Sequence, residues 1–243
     1  MTGPVLVRRG RGWVVAWKPA GTLIDADPAR QPDSLRAGLA KALAVPFRAC
    51  HPHTRLDQPV AGLSLWSIEP EARRSFVEAT RRGAVRKLYL ALAAAAPTAR
   101  VLALPPERPG WRTRAGRPLP EAPETRVAVL AERPGAALVA AGITAGKWHQ
   151  IRLHFAAAGT PLIGDRLHGG PARAVRDDGA VLAAPAVALE AVGIEFPDGG
   201  ATTRVLAAPR SFVRDAALWV GLPAETVDAQ GVERAWTAAW GGR

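Results

Sequence analysis

The chain has 243 residues, 48% of them apolar, and carries 32 Lys and Arg against 21 Asp and Glu, a formal charge of +11. No apolar run reaches the roughly 20 residues of a membrane span, and Met1-Thr-Gly-Pro4 lacks the basic-then-apolar layout of a secretory leader. The single cysteine, Cys50, excludes an internal disulfide and fits a reducing, cytoplasmic setting. An excess of positive charge this large attracts polyanions, so nucleic acid is the expected partner class, ahead of a membrane surface.

Residues 5–17 alternate loosely and end in Trp13-Val-Val-Ala-Trp17, which reads as a strand. Lys18-Pro19-Ala20-Gly21 breaks it, because proline cannot donate to a ladder and glycine permits a tight turn. Ser34 can cap a helix running to about Leu43, with Leu35, Leu39 and Leu43 on one face. Leu63 to Ile68 reads as a strand. A helix starts near Pro70, carries Phe76 and Val77, and is closed by Gly83. Val85 to Ala93 follows as a strand containing Tyr89. Residues 97–124 are rich in Pro, Gly and Arg, and Trp111 with Arg108, Arg112, Arg114 and Arg117 suits stacking on bases and gripping phosphates. A solvated loop is the competing reading of the same segment.

Segments 125–132 and 136–143 read as a hairpin around Pro134-Gly135. A helix is expected from Trp148 to about Ala158, ended by Gly159. Weaker strand signals lie near 181–196 and 202–207, and a last amphipathic helix covers about 211–220. Residues 221–243 are left as a C-terminal extension. The mixture predicts a single α+β domain over 1–243.

Several motifs fail on inspection. Gly142-Ile-Thr-Ala-Gly146-Lys147 is one residue short of a phosphate loop, with Trp148 where a Ser or Thr is needed. Gly62-Leu-Ser64-Leu-Trp66 lacks the second glycine of a nucleophile elbow. Cys50-His51-Pro52-His53 has no second ligand cluster, so no metal is expected. What remains is Asp57, in His53-Thr-Arg-Leu-Asp-Gln-Pro-Val-Ala-Gly62, on or beside a turn. Taken alone it reads as a turn former accepting a backbone hydrogen bond.

Four stretches in order give it another reading. Arg55-Leu56-Asp57 with Gly62-Leu63 resembles the His-Arg-Leu-Asp signature of the RluA-type pseudouridine synthases. Lys18-Pro19-Ala20-Gly21 resembles that family's early turn, and Lys87-Leu88-Tyr89-Leu90-Ala91 its Lys-x-Tyr-x-Ala strand. Gly146-Lys147-Trp148-His149-Gln150-Ile151-Arg152-Leu153-His154, followed by Pro161-Leu-Ile-Gly164-Asp165, resembles its His-Gln-Ile-Arg helix. Departures are Thr54 for a histidine, Val60-Ala61 for Thr-Ser, Lys147-Trp148 for Arg-Thr, and His168 where an aromatic is common.

The resemblance implies a mixed, mainly antiparallel central sheet flanked by helices and loops, and a cofactor-free isomerase acting on a uridine of ribosomal or transfer RNA. It makes Asp57 the catalytic carboxylate, attacking ribose C1′ or removing a proton from C2′. Arg152 would be its salt-bridge partner, and Tyr89 would pack on the base and assist proton transfer from C5. Arg55 would help evict the uridine, and Lys18, Lys147, His149, Gln150, Trp111 and Arg112 would bind RNA. The early position of the Lys-Pro turn leaves no room for an N-terminal RNA-binding appendage, and a monomer is expected. The rival reading is a catalytically weak or inactive RNA-binding protein on the same fold.

Overall fold

The computed structural model describes residues 4–26, 29, 32–105, 121–176 and 178–241. The chain opens with β1 (Val5–Gly10) and β2 (Trp13–Lys18), an antiparallel pair. The single strand expected over 5–17 is thus two. Gly10 pairs with Trp13, and Arg11-Gly12 make the turn, Gly12 taking the left-handed φ of 73° that a tight hairpin favours. Helix α1 (Leu35–Ala42) is capped by the Ser34 hydroxyl, which accepts from the Ala37 N–H. The two-residue β3 (His51–Pro52) and β4 (Ala61–Ser67) follow, then α2 (Pro70–Arg81) with proline in its first turn.

Strand β5 (Arg86–Ala93) is buried almost throughout, so it reads as an unbroken apolar run rather than an alternating one. Within the segment expected to be a loop, β6 (Val101–Ala103) forms and pairs with β7 (Glu124–Arg133). Trp111, Arg112 and the other arginines expected at 108–117 lie outside the described residues. The hairpin of β7 with β8 (Ala136–Ile143) turns at Pro134-Gly135. Helix α3 (Gln150–Ala157) precedes a small sheet of β9 (Arg173–Val175) and β10 (Val181–Ala183). The chain then runs through β11 (Leu189–Asp198), β12 (Ala201–Leu206), α4 (Phe212–Trp219) and α5 (Ala229–Trp240). Helix α5 had no counterpart in the sequence reading. Among the described residues, no helix is long and apolar enough to cross a membrane.

The main sheet has ten strands in the order β1-β2-β4-β11-β5-β8-β7-β6, with β12 added to β11 and β3 to β4. All its pairs are antiparallel except β4 with β11. This is an α+β architecture. The two-residue period of β5 splits its side chains. Tyr89 and Ala91 join Leu39 of α1 and Ile151 and Phe155 of α3, whereas Leu88, Leu90 and Leu92 join Val213 of α4 and Trp236 of α5.

The parallel contact matters for the site, because β4 begins four residues after Asp57. Here Ala191 lies beside Gly62, whose φ is 124°, and a Cβ on Gly62 would sit 2.2 Å from the Ala191 carbonyl oxygen. Gly62→Ala is therefore expected to destabilise the fold by about 3 kcal/mol, lowering Tm by about 6–12 °C for a chain of this size. A thermal unfolding curve within 2 °C of wild type would show that the strands can separate at no cost.

Candidate active site

The chain reaches Asp57 through an anchored approach. His53 N–H donates to the Leu65 carbonyl, and its ring bonds Ser67 Oγ at 2.9 Å and packs edge-on against Phe76. Thr54, which stands where the family signature has histidine, is buried and accepts from the Leu65 N–H at 2.8 Å. Asp57 then opens a turn closed by the Val60 N–H donating to its carbonyl at 3.0 Å. Val60 and Ala61 are buried, Val60 in the core beside the cleft, so the missing hydroxyls are replaced by apolar packing.

Burial, with His51 and Arg73 nearby, pushes the His53 pKa from 6.5 down to about 3. The unfolded chain therefore binds a proton here that the folded one refuses, and the stability from a neutral His53 is complete above pH 6.5. It drains away as the pH falls towards 3. Denaturant unfolding at pH 5 is expected to give about 1–2 kcal/mol less stability than at pH 7 from this group. His53→Gln should remove that part of the slope. An unchanged slope in the variant would assign the acid sensitivity elsewhere.

Lys18 corrects an expectation. It was expected on the RNA, but it is fully buried, and its amine donates to the carbonyls of Pro19, Gln58 and Val60 at 3.0, 2.9 and 2.6 Å. Two of these belong to the turn that carries Asp57, so Lys18 straps that turn to the end of β2. Burial lowers its pKa to about 8, against the attraction of Asp57.

Helix α3 supplies the opposite wall. Arg152 is nearly buried and divides its guanidinium between two carboxylates. Its Nε and Nη2 donate to Asp165 at 2.8 and 2.7 Å, and its Nη1 donates to Asp57 Oδ2 at 3.0 Å. Burial opposes its charge, but the hydrogen bonds and attraction of the two aspartates outweigh that and hold its pKa above the ordinary value. Asp165 is 1% exposed. It closes the motif Pro161-Leu-Ile-Gly164-Asp165, and the fold shows it orienting Arg152. The Asp57 side chain itself is 26% exposed, open to a ligand.

His149 starts the helix in the left-handed region, φ 51° and ψ 26°, a conformation few residues other than glycine adopt. Its Nδ1 lies 2.8 Å from His168 Nε2, and its Nε2 lies 3.7 Å from Asp57 Oδ2. Burial, with Arg152 and His168 beside it, keeps its pKa below the ordinary imidazole value against the pull of Asp57. The Gln150 side chain is spent on the protein: it accepts from the Lys147 N–H and donates to the Glu124 carbonyl. Lys87 holds the same loop, its amine donating to the Ala145 carbonyl at 3.1 Å.

Arg55, Asp57, Tyr89, Lys147, His149, Gln150 and Arg152 line one open cleft, floored by Leu56, Val60, Ile143, Ile151 and Leu189. Tyr89 rises from β5 into it. Burial and the neighbouring Asp57 push its phenol well above the ordinary value, so it stays protonated. The cleft thus holds a carboxylate 26% exposed, bonded to a buried guanidinium, with a phenol in the same lining.

The family profile described as RNA pseudouridylate synthase matches residues 12–157, which include Asp57, Tyr89 and Arg152. An uncharacterized RNA pseudouridine synthase of Zymomonas mobilis is 32% identical over 123 residues, 47% of this chain and 56% of that protein. One of Chloroflexus aurantiacus is 30% identical over 169 residues, 62% of this chain and 46% of that protein. The chain thus spans about half the length of these curated relatives. The solved human RNA Pseudouridylate Synthase Domain Containing 4 superposes with a TM-score of 0.67 at 18% identity, covering 89% of this chain and 92% of that one. Human RNA Pseudouridylate Synthase Domain Containing 1 gives 0.64 at 20% identity, covering 87% and 85%. These two likenesses are likenesses of fold. With a profile match over more than half its length and the ordered motifs gathered around one cleft, the chain belongs to the RNA pseudouridylate synthase family, of the RluA type.

Proposed function

We propose that this chain, as one catalytic domain and without a cofactor, isomerises a uridine to pseudouridine in a structured ribosomal or transfer RNA. The observation that carries the reading is Asp57: a carboxylate 26% exposed in a cleft, held by Arg152 at 3.0 Å and accompanied there by Tyr89. The reaction breaks the bond from ribose C1′ to uracil N1, turns the base, and joins C1′ to C5. The C5 proton leaves and N1 gains one, so atoms balance and no oxidant or metal enters.

Asp57 either attacks C1′ or removes a proton from C2′. Both roles need a carboxylate held in a fixed place, which the bond from Arg152 Nη1 supplies. A base inside a helix stack cannot reach such a carboxylate, so the uridine is flipped into the cleft. Arg55, exposed and lining the cleft, fills the gap it leaves in this reading, and Lys147 meets phosphate. Tyr89 supplies the ring against which the freed uracil turns.

The test is tritium release from RNA labelled at uracil C5, using total RNA from a host lacking the gene. Release by the purified chain is the expected result. Tight RNA binding with no release would sink the reaction and leave the rival reading, a non-catalytic RNA-binding protein.

A further inference from the structure

Arg152 has a second side. Besides the cleft it lines a separate cavity of about 350 Å³, enclosed by Asp165, Arg166, Leu167 and Val187 together with Pro59, two residues beyond Asp57. The two hollows thus share one guanidinium, with Asp57 bonded to its Nη1 and Asp165 to its Nε and Nη2. A volume of this order accommodates a small ring system. The lining is mostly apolar, and its one carboxylate, Asp165, spends both oxygens on Arg152. Arg166 is exposed beside it, so the charge left to attract a ligand is positive.

Leu167 stands at this cavity and is 67% exposed, more than any other large apolar residue described. An exposed leucine is ordinary in itself. This one sits on a single 3₁₀ turn, Arg166–His168, that is tied down at both ends. Before it, the Asp165 side chain is held by Arg152, and the Asp165 carbonyl accepts from the N–H groups of His168 and Gly170 at 3.0 and 2.8 Å. After it, His168 Nε2 lies 2.8 Å from His149 Nδ1. The backbone that presents Leu167 is therefore fixed through Arg152 and His149, the residues that face Asp57. An apolar partner meets a leucine already in place, at little ordering cost to the protein backbone.

A partner with a flat apolar face and a negative charge beside it suits both Leu167 and Arg166. An unpaired nucleotide is such a partner, its base offering the face and its phosphate the charge. A protein surface would call for a broader apolar surround than a cavity walled by Arg152, Asp165 and Arg166 supplies.

We propose that this cavity holds an unpaired base of the RNA, next along the strand to the uridine at Asp57, with Leu167 against its face and Arg166 on its phosphate. The inference rests on the RNA reading above and adds a second base-binding place to it. One guanidinium separates the two hollows, so neighbouring nucleotides of a single strand enter both. Leu167 touches no reacting atom. It acts on binding and on which neighbours of the uridine are accepted.

The test uses the full chain and a fluorescein-labelled heptaribonucleotide with one central uridine, alongside the same RNA made abasic either just before or just after that uridine. Binding is read by fluorescence anisotropy. Wild type is expected to bind the intact RNA and to bind one of the two abasic RNAs about 10-fold more weakly. Leu167→Ala should bind the intact RNA about 10-fold more weakly than wild type does, the worth of a few buried methyl groups. On the abasic RNA that weakens wild type, the two proteins should bind alike. Leu167→Met should keep most of the affinity for intact RNA, which separates the apolar contact from damage to the fold. Equal binding of the intact RNA by wild type and Leu167→Ala, or an equal loss by the variant on all three RNAs, would overturn the proposal. No binding by wild type would sink the RNA reading with it. None of these readouts depends on isomerisation. Base-dependent binding without tritium release would sink the reaction alone, and tritium release with an indifferent Leu167→Ala would sink this inference alone.

Discussion

Asp57→Asn is expected to abolish tritium release, a fall of about 1000-fold or more, which corresponds to roughly 4 kcal/mol of transition-state stabilisation. The amide is nearly the shape of the carboxylate and can still accept from Arg152 Nη1, now 3.0 Å away. It can neither attack C1′ nor take a proton from C2′. Because Asp57 is partly open to water and Asp165 keeps its two bonds to Arg152, the fold should tolerate the change, with Tm within a few degrees of wild type. RNA affinity should also persist, since the cations at the rim are untouched. Activity within tenfold of wild type would remove Asp57 from the chemistry and with it the proposed reaction.

Arg152→Met should be damaging in two ways that can be told apart. Asp165 is 1% exposed, and the substitution leaves its carboxylate buried without a cation. Orphaning one member of a buried pair typically costs 3–5 kcal/mol, about 6–20 °C in Tm for a chain this long. Activity should vanish as well, because Asp57 loses the guanidinium that holds it in place. Adding Asp165→Asn to Arg152→Met removes the orphaned charge, so much of the stability should return while tritium release does not. Recovery of both together would mean that Arg152 serves the fold alone. A stable, active Arg152→Met would mean that it serves neither.

The sequence disclosed the parts of the site that lie within single motifs. Arg55, Asp57, Tyr89, Lys147, His149, Gln150 and Arg152 were named from three short stretches, and the fold brings all seven to one cleft. It did not disclose what the motifs are built against. Lys18 was expected to meet RNA by the family resemblance, yet three carbonyls converge on it once residues 58 and 60 fold beneath β2. Asp165 acquires its task only when α3 packs beside it, and the αL start of that helix at His149 has no local signal at all.

The elements divide in the same way. The hairpin at Pro134-Gly135 and the helix capped by Ser34 announce themselves through turn and cap chemistry. Helix α5 went unread although Asp228 caps it and Val232, Ala235, Trp236 and Ala239 fall on one face. Gly231 inside its first turn argues against a helix locally. It is tolerated because the Glu225 and Thr226 carbonyls press so close that a Cβ there would sit 2.4 Å from one of them.

One feature of the sheet bears on how the molecule is made. Strands β4 and β5 are joined by α2 and are near neighbours in sequence, yet they do not pair; β11, from 189–198, lies between them. A chain synthesised from its N-terminus therefore holds two apolar strands apart, each with an open edge, until more than a hundred further residues have emerged. Such non-local closure is slow, and open edges invite pairing with other chains. Nascent chains that stop short of β11 should clump rather than linger half-built, and this late strand is the one that brings Leu189 to the floor of the cleft.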